Sequence, residues 1–257
     1  ETHTEVVVSP EDDIELRRIK ITNRSRRRRT LEITSYAEVV LNSQPADEIH
    51  PAFGNLFIQS EIQPKKYAII CTRRPRSAEQ QPPWMCHMMK LKGVKYDEIS
   101  YETSRKQFIG RGNSMVLPEA VSVGGKMLGN EGSVLDPIVA VRYKITLEPG
   151  GVATLDMLNG ISETREGCQA LIDKYQDKHL RDRVLELSWT HSQVVLRQIN
   201  ATESDAQMYG QMASSILYMN PLLRTDPVTM MNNFKGQPGL WGYAVSGDVP
   251  IVLLKVR

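Results

Sequence analysis

The chain has 257 residues, of which 40% are hydrophobic and 24% are charged, and its formal net charge is +2. This composition is typical of a folded globular protein, and the near-neutral charge excludes a dedicated nucleic-acid binder, which would carry a clear basic excess. No apolar run approaches the roughly 18 residues that a membrane-spanning helix needs, so we expect no direct membrane insertion.

Alternating apolar and polar residues dominate the first two-thirds of the chain. Residues 30–41 (TLEITSYAEVVL), for example, place apolar and polar side chains on opposite faces with a period of two, the pattern of a half-buried strand. The same criteria predict strands at residues 5–8, 14–22, 30–41, 56–62, 67–73, 84–91, 98–103, 138–147 and 152–161. Many strands with frequent turns predict a mainly β fold of stacked antiparallel sheets.

Two loops of this β region stand out by composition. Residues 23–29 (NRSRRRR) join two predicted strands, so we expect a hairpin with a solvated arginine-rich tip, since no interleaved aromatic residue offers a platform for bases. Residues 124–132 are rich in glycine but lack the GxxxxGK pattern of a phosphate-binding loop and precede no predicted helix. We therefore expect a surface loop there.

From residue 162 onward the periodicity becomes helical. Residues 165–175 and 180–199 repeat apolar side chains at helical spacing, and Thr202 followed by Asp205 predicts a capped third helix that Asn220 and Pro221 end. Trp189 and His191 are expected in a core. The third helix is expected to bury one face, formed by Ala206, Tyr209, Ala213, Ile216 and Leu217.

These patterns divide the chain into three parts. Residues 1–161 form a β-sandwich domain, residues 162–220 a helical linker, and residues 221–257 a connection that finishes in an apolar strand. A buried strand of this kind predicts that more protein follows in the parent.

The three cysteines, Cys71, Cys86 and Cys168, form neither a CxxC pair nor a zinc-like spacing. We therefore expect mostly buried, reduced thiols, which are typical of a cytoplasmic protein. The five histidines form no HExxH motif, so the sequence predicts no metal site.

Two residues of the β region are candidates for sugar contact or chemistry. His50 lies in a polar loop beside Asp47 and Glu48, where it is either a loop-to-strand anchor or half of an acid–base pair, and the anchor is favoured. Trp84 follows a proline pair, and its ring either stacks on a sugar or packs in the core.

Six strings, in the same order, resemble the family-94 glycoside hydrolases, once classed as family-36 glycosyltransferases. They are residues 33–41 (ITSYAEVVL), 50–57 (HPAFGNLF), 108–118 (FIGRGNSMVLP), 135–142 (LDPIVAVR), 196–206 (LRQINATESDA) and 240–254 (LWGYAVSGDVPIVLL). Within the family, the likeness is greatest to the phosphorylase-like part of cyclic β-1,2-glucan synthases and to β-1,2-oligoglucan phosphorylases.

The resemblance implies a galactose-mutarotase-like antiparallel β-supersandwich, then linker α-helices, an (α/α)6 catalytic barrel and a small jelly roll. The barrel of such proteins holds the catalytic aspartate, and no string here matches it, so no catalytic residue is assigned to this chain. The resemblance also implies that the loop at residues 105–113 contacts the acceptor sugar through Arg105, Arg111 and Asn113, although Arg111 serves equally well to pin a turn.

The implied partners are a β-glucan oligosaccharide, the catalytic barrel of the same parent, and a second copy in a homodimer. Inorganic phosphate would be a co-substrate of the parent, which is compatible with tethering at the inner membrane, and no cofactor is expected here. The chain would thus be a non-catalytic amino-terminal domain of a β-glucan phosphorylase or glycosyltransferase.

Two other functions stay open from the residues alone. One is a stand-alone carbohydrate-binding module, against which the aromatic content of 6% counts. The other is a mutarotase-like epimerase that uses His50 with Asp47 or Glu48 as acid and base.

Overall fold

The computed structural model describes residues 1–75, 77, 79–122, 124–218, 220, 225–249 and 251. These residues form two compact units, Glu1–His191 and Ser192–Arg257. The strands are β1 (Thr2–Val8), β2 (Ile14–Thr22), β3 (Arg29–Thr34), β4 (Ala37–Glu38), β5 (Ile58–Gln63), β6 (Ala68–Arg73), β7 (Trp84–Lys92), β8 (Tyr96–Ser104), β9 (Pro137–Leu147) and β10 (Val152–Ser162). The helices are α1 (Gln44–Ile49), α2 (Pro51–Asn55), α3 (Arg105–Ile109), α4 (Arg165–Lys174), α5 (Lys178–Gln198), α6 (Glu203–Leu217), α7 (Pro227–Met231) and α8 (Pro238–Trp241).

The first unit is a sandwich of two antiparallel sheets. One sheet has six strands in the order β1-β2-β10-β7-β6-β5. In the other, β9 is central, with β3 and β4 along one edge and β8 along the opposite edge. This arrangement, followed by helices, confirms the predicted mainly β antiparallel supersandwich with linker helices.

The main hydrophobic core lies between the two sheets. Met89 and Leu155 reach it from the six-stranded sheet, and Tyr101, Val141 and Ile145 reach it from the other. Alternate residues of β8 and β9 point outward, as the period of two requires. Fully buried aliphatic side chains of this size each contribute about 1.5–3 kcal/mol to folding, so the interface between the sheets is a major source of stability.

The six-stranded sheet is also covered on its other face. Cys168 and Ile172 of α4 and Val184 of α5 pack there in a second cluster with Leu16 and Met88. Because β6 lies between two cores, all six of its residues are buried, and its sequence AIICTR is a continuous run rather than an alternation.

A buried ion pair holds α5 against this sheet. Arg18 of β2 donates two hydrogen bonds to Asp156 of β10, over 2.7 and 3.0 Å, and Arg181 of α5 donates a third over 2.9 Å. Burial by itself raises the pKa of Asp156, but the hydrogen bonds and charges of the two arginines outweigh it and lower the pKa below its usual 3.8. The carboxylate is therefore ionised in the folded protein.

The predicted hairpin between residues 14–22 and 30–41 is wrong, because β2 and β3 lie in different sheets. The chain crosses between the sheets at residues 23–28, and it crosses back between β9 and β10. Asn23 joins the two crossings, since its Nδ2 donates to the carbonyl oxygens of Leu147 and Glu148 over 3.0 and 3.1 Å. The arginine side chains beside it are exposed, as predicted.

The helices after the sandwich begin close to their predicted positions, but their burial differs. The capping box of α6 is confirmed, with Asp205 Oδ2 accepting from the backbone N–H of Thr202 over 2.8 Å. No residue of α6, all of which is described, is buried, so its expected buried face is wrong. Trp189 and His191 are exposed rather than in a core.

The predicted end of the chain lies largely outside the described residues. Residues 221–224, 250 and 252–257 are among those not described, and they include Pro221 and most of the predicted apolar strand. The boundaries at residues 161 and 220 therefore stay predictions.

Candidate functional site

Arg105 begins α3 and belongs to a polar network that joins four segments of the sandwich. Its Nε donates to Glu38 over 3.0 Å and its Nη1 donates to Asp136 over 3.1 Å. Asn55 of α2 donates to the second oxygen of Asp136 over 3.1 Å, and the hydroxyl of Tyr36 donates to Glu38 over 3.0 Å. Hydrogen bonds with Tyr36 and Asp136 raise the pKa of Arg105, so this residue is a permanent, firmly positioned cation.

The loop after α3 presents Arg111 and Asn113 to solvent. Gly110 ends the helix with φ of 82°, and a Cβ there would lie 2.1 Å from the Glu119 carboxylate, so only glycine fits this turn. Arg111 and Asn113 thus stand on a defined backbone. Further along the same loop, the apolar side chain of Val116 is 93% exposed, so the loop presents both polar and apolar side chains to solvent.

His50 lies between two short helices. Its backbone N–H donates to Ala46 of α1 over 3.3 Å, and its carbonyl accepts from Gly54 of α2 over 2.9 Å. The imidazole is exposed, and among the described residues it makes no hydrogen bond to Asp47 or Glu48. The geometry fits the loop anchor better than the acid–base pair.

Trp84 occupies a different layer of the molecule. It begins β7, opposite Thr72 and Ser162, and its half-buried ring packs against the second core cluster under α4. Packing therefore accounts for Trp84 without a sugar.

Four of the five predicted contact residues, His50, Arg105, Arg111 and Asn113, lie on or next to the short helices α2 and α3. Asp136 links the end of α2 to the start of α3, because Asn55 and Arg105 both donate to its carboxylate. We call this the α2–α3 surface, and define it by His50, Asn55, Arg105, Arg111 and Asn113. Sequence patterns missed Asn55, Glu38 and Asp136, because isolated polar residues at strand and helix ends carry no periodic signal.

A buried triad resembles a hydrolase site in its residue types alone. The Ser35 hydroxyl lies 2.8 Å from His87 Nε2, and Asn159 Oδ1 lies 2.7 Å from His87 Nδ1. However, His87 is only 1% exposed, and the Ser35 hydroxyl is already bonded to the backbone of Val141. A substrate has no access to it, so the triad serves to join the two sheets.

A polar cavity of about 340 Å³ lies on the outer face of the four-stranded sheet, under the glycine-rich loop. Glu32 at its wall lies 3.7 Å from Arg142 and 3.8 Å from Lys144, so these opposite charges compensate each other. Arg142 also donates to the carbonyl oxygens of Ala120 and Gly125, which fixes the loop.

The acidic groups share one electrostatic trend. Every carboxyl group of the described residues with a resolved pKa shift has its pKa lowered, in most cases by a neighbouring arginine or lysine. A general acid for glycosidic cleavage needs the opposite, a carboxyl group whose pKa is raised.

Three further observations bear on cofactors and location. Cys71, Cys86 and Cys168 are buried free thiols, as predicted, and burial raises the pKa of Cys71 to about 12. Within the described ranges, no three His, Cys, Asp or Glu side chains are grouped so as to hold a metal ion. In that same part of the chain, every helix is too short or too polar to cross a membrane.

Comparison with known proteins agrees with this architecture. The family described as Glycosyl hydrolase 94, supersandwich domain, matches residues 1–178. The chain is also 30% identical over 256 residues to the cyclic beta-(1,2)-glucan synthase NdvB of Rhizobium meliloti (strain 1021), a match that covers 100% of this chain and 9% of that protein. The chain therefore belongs to the glycosyl hydrolase 94 family, as a supersandwich domain with the helices that follow it.

Proposed function

We propose that the chain is a non-catalytic supersandwich domain of a β-glucan-active enzyme, and that it supports an (α/α)6 catalytic barrel of the same parent. Its α2–α3 surface would form part of the acceptor side of the sugar site. The relative's name describes a cyclic β-1,2-glucan synthase, which supports a β-glucan as the substrate class. Inorganic phosphate as co-substrate, a homodimer and a cytoplasmic location stay predictions.

The exposed apolar face of α6 is the observation that carries this proposal. Tyr209, Ile216 and Leu217 are 48%, 51% and 76% exposed, although the capping box defines the helix well. A helix in water keeps one apolar stripe because something packs on it, and an exposed stripe therefore indicates a partner surface. A catalytic domain of the same parent is the partner that the family relationship favours.

The seven carboxyl groups with a resolved pKa shift offer no proton donor for glycosidic cleavage. Carboxyl groups with lowered pKa values stay ionised and cannot donate a proton to a leaving oxygen near neutral pH. The acid–base alternative based on His50 is weakened by its exposed imidazole. A stand-alone binding module is disfavoured by the apolar α6, which a free module would not need.

The α2–α3 surface supports a contact with sugar. Arg111 and Asn113 are exposed side chains with several donors and an acceptor, which suits adjacent hydroxyl groups. Arg105 is held by Glu38 and Asp136, so its role would be to position the loop.

The test uses the full-length parent and places charge on the apolar face of α6 by Tyr209→Asp with Ile216→Asp. Because a carboxylate cannot be buried against an apolar partner at low cost, we expect turnover of β-1,2-glucan to fall at least tenfold. Gln211→Asp, on the opposite side of the same helix, is the matched control and should leave turnover unchanged. The isolated chain, given β-1,2-gluco-oligosaccharide and phosphate, should release no glucose 1-phosphate.

Two results would overturn the proposal. One is wild-type turnover in the doubly substituted parent, which would show that α6 contacts no catalytic partner. The other is release of glucose 1-phosphate by the isolated chain, which would make the domain itself an enzyme.

A further inference from the structure

A second cleft opens at one edge of the sandwich, formed by residues of both sheets. It has a volume of about 490 Å³, within the range of about 300–1,000 Å³ that small-molecule sites occupy. Its walls are Tyr67, Lys90, Leu91, Val94, Lys95, Tyr96 and Tyr143. We call it the tyrosine cleft. Aromatic and aliphatic side chains with a few polar groups are the usual lining of a ligand site.

The rings of the tyrosine cleft support one another edge to face. The centroids of Tyr67 and Tyr96 are 6.4 Å apart, and those of Tyr96 and Tyr143 are 5.6 Å apart, with interplanar angles of 77° and 68°. Tyr143 is itself fixed, because its hydroxyl donates to the carbonyl oxygen of Met89 over 2.8 Å. Tyr96 remains 42% exposed, so its ring is available to a ligand on a rigid support.

Polar groups surround these rings. A hydrogen bond with Tyr96, together with burial, raises the pKa of Tyr67. Tyr101 is 8% exposed, and its hydroxyl has no hydrogen-bond partner among the described residues. Burial, and then the proximity of Tyr67 and Tyr96, raise the pKa of Tyr101. Tyr101 is not part of the cleft wall, so the cleft offers a ligand the polar groups of Tyr67, Lys95 and Tyr96.

Lys90 offers no free charge to an anionic ligand. The Lys90 ammonium lies 4.0 Å from the centre of the Tyr67 ring and donates to Gln176 over 2.8 Å, so its charge is already engaged. Burial lowers the pKa of Lys90, which adds to the cost of keeping this cation charged. Lys95 is exposed at the rim and can donate to hydroxyl groups.

We propose that the tyrosine cleft is a binding site for pyranose units of a neutral gluco-oligosaccharide, separate from the α2–α3 surface. The apolar C–H face of the sugar ring would lie on Tyr96, and its hydroxyl groups would bond to Lys95 and to tyrosine hydroxyls. The choice of a glucan rests on the proposed function, whereas the choice of a neutral polyol rests on the cleft itself.

The test titrates β-1,2-gluco-oligosaccharide, at up to millimolar concentration, into the isolated 257-residue chain and follows amide chemical shifts. We expect shifts to concentrate in β8 and at residues 90–95. Tyr96→Ala should raise the dissociation constant at least tenfold by removing the exposed ring. Val94→Trp should do the same by filling the cleft while leaving every tyrosine in place.

Tyr209→Ala is the matched control, since Tyr209 is 48% exposed on α6, and it should leave the affinity unchanged. Amide shifts confined to residues 105–113 would place the sugar on the α2–α3 surface and would also count against the cleft. The proposal is overturned by the absence of any shift at millimolar sugar, or by folded Tyr96→Ala and Val94→Trp proteins that bind as tightly as the wild type. These outcomes are independent of the activity of the α6 variants in the parent, so the two proposals fail separately.

Discussion

His87 shows how one polar residue is made part of a hydrophobic interface. It lies between the sheets, bonded to Ser35 of the segment between β3 and β4 and to Asn159 of β10. Burial lowers the pKa of His87 from its ordinary 6.5, although the bond to Asn159 opposes this shift. The imidazole is consequently neutral in the folded chain at pH 7, with one nitrogen donating and the other accepting.

This lowered pKa predicts a stability that depends on pH. Above pH 6.5 the histidine is neutral in both states, and the full stability is present. As the pH falls below 6.5, the unfolded chain binds the proton first, so the free energy of unfolding decreases by up to about 1.4 kcal/mol per pH unit until the folded-state pKa is reached. Urea unfolding of the wild type and of His87→Gln between pH 7 and pH 5 measures this, and the variant should have the flatter profile.

The exposed His191 supplies the control for this measurement. His191→Gln removes a histidine that is in contact with solvent and should therefore keep the wild-type slope. Equal slopes for the wild type and His87→Gln would show that burial of His87 does not govern stability in this range.

At the scale of the elements, helix α5 depends on a charge that the sheet provides. Removal of the Asp156 charge leaves Arg18 and Arg181 without their buried counter-ion. We therefore expect Asp156→Asn to reduce the free energy of unfolding by about 3–5 kcal/mol, measured by urea denaturation at pH 7. Because the folded-state pKa of Asp156 lies below its usual 3.8, its contribution is fully present above pH 3.8. The contribution is lost as the pH falls from 3.8 through the lower folded-state pKa, below the range in which His87 acts.

The exposed pair between Lys66 and Asp173 provides a comparison of similar geometry. Its ammonium and carboxylate are 2.6 Å apart, but both side chains are in solvent. Asp173→Asn should cost no more than about 1 kcal/mol. Similar losses of unfolding free energy for Asp156→Asn and Asp173→Asn would mean that burial does not strengthen the interaction of Asp156 with its arginines.

Strand positions were largely predictable from the sequence, whereas strand partners were not. The alternation in residues 14–22 matches β2 residue for residue, because the period of two is written in the local sequence. Strand β2 pairs instead with β1 and with the distant β10, and next to it Asn23 bonds to Leu147, 124 residues away in the chain. No local pattern carries that information, and the loop at residues 23–28 consequently had the appearance of a hairpin.

The burial of helix α6 was likewise not predictable from the sequence. The spacing of Tyr209, Ala213 and Ile216 predicts an apolar face, and the face exists, but nothing in the described chain covers it. Sequence periodicity identifies an apolar surface, but it does not identify the molecule that covers it. The candidate site was also predictable only in part. The loop residues of the α2–α3 surface were predicted from a family resemblance. Asp136, which bonds to Asn55 and Arg105, was not predicted, because no sequence pattern marks it.

At the scale of the whole molecule, the end of the family match and the end of the first compact unit differ. The match ends at residue 178, whereas the unit continues to His191. The intervening turns of α5 contain Arg181, which donates to Asp156 over 2.9 Å and to the carbonyl oxygens of Tyr175 and Gln176 over 2.6 and 3.0 Å. They also contain Val184, which is 3% exposed in the second core cluster.

The physical domain should therefore be longer than the matched segment. A fragment of residues 1–178 loses Arg181, the buried one of the two arginine partners of Asp156, and exposes the apolar surface that Val184 covers. We expect it to be less stable than a fragment of residues 1–191 by at least about 3–5 kcal/mol, measured as the difference in urea unfolding free energy at pH 7. Adding Asp156→Asn to both fragments should reduce the difference in stability. Arg181 of the longer fragment then has no carboxylate to bond and no longer adds to its stability. Equal stability of the two fragments would show that α5 is an appendage, and that the sheet does not need Arg181 to keep its buried carboxylate.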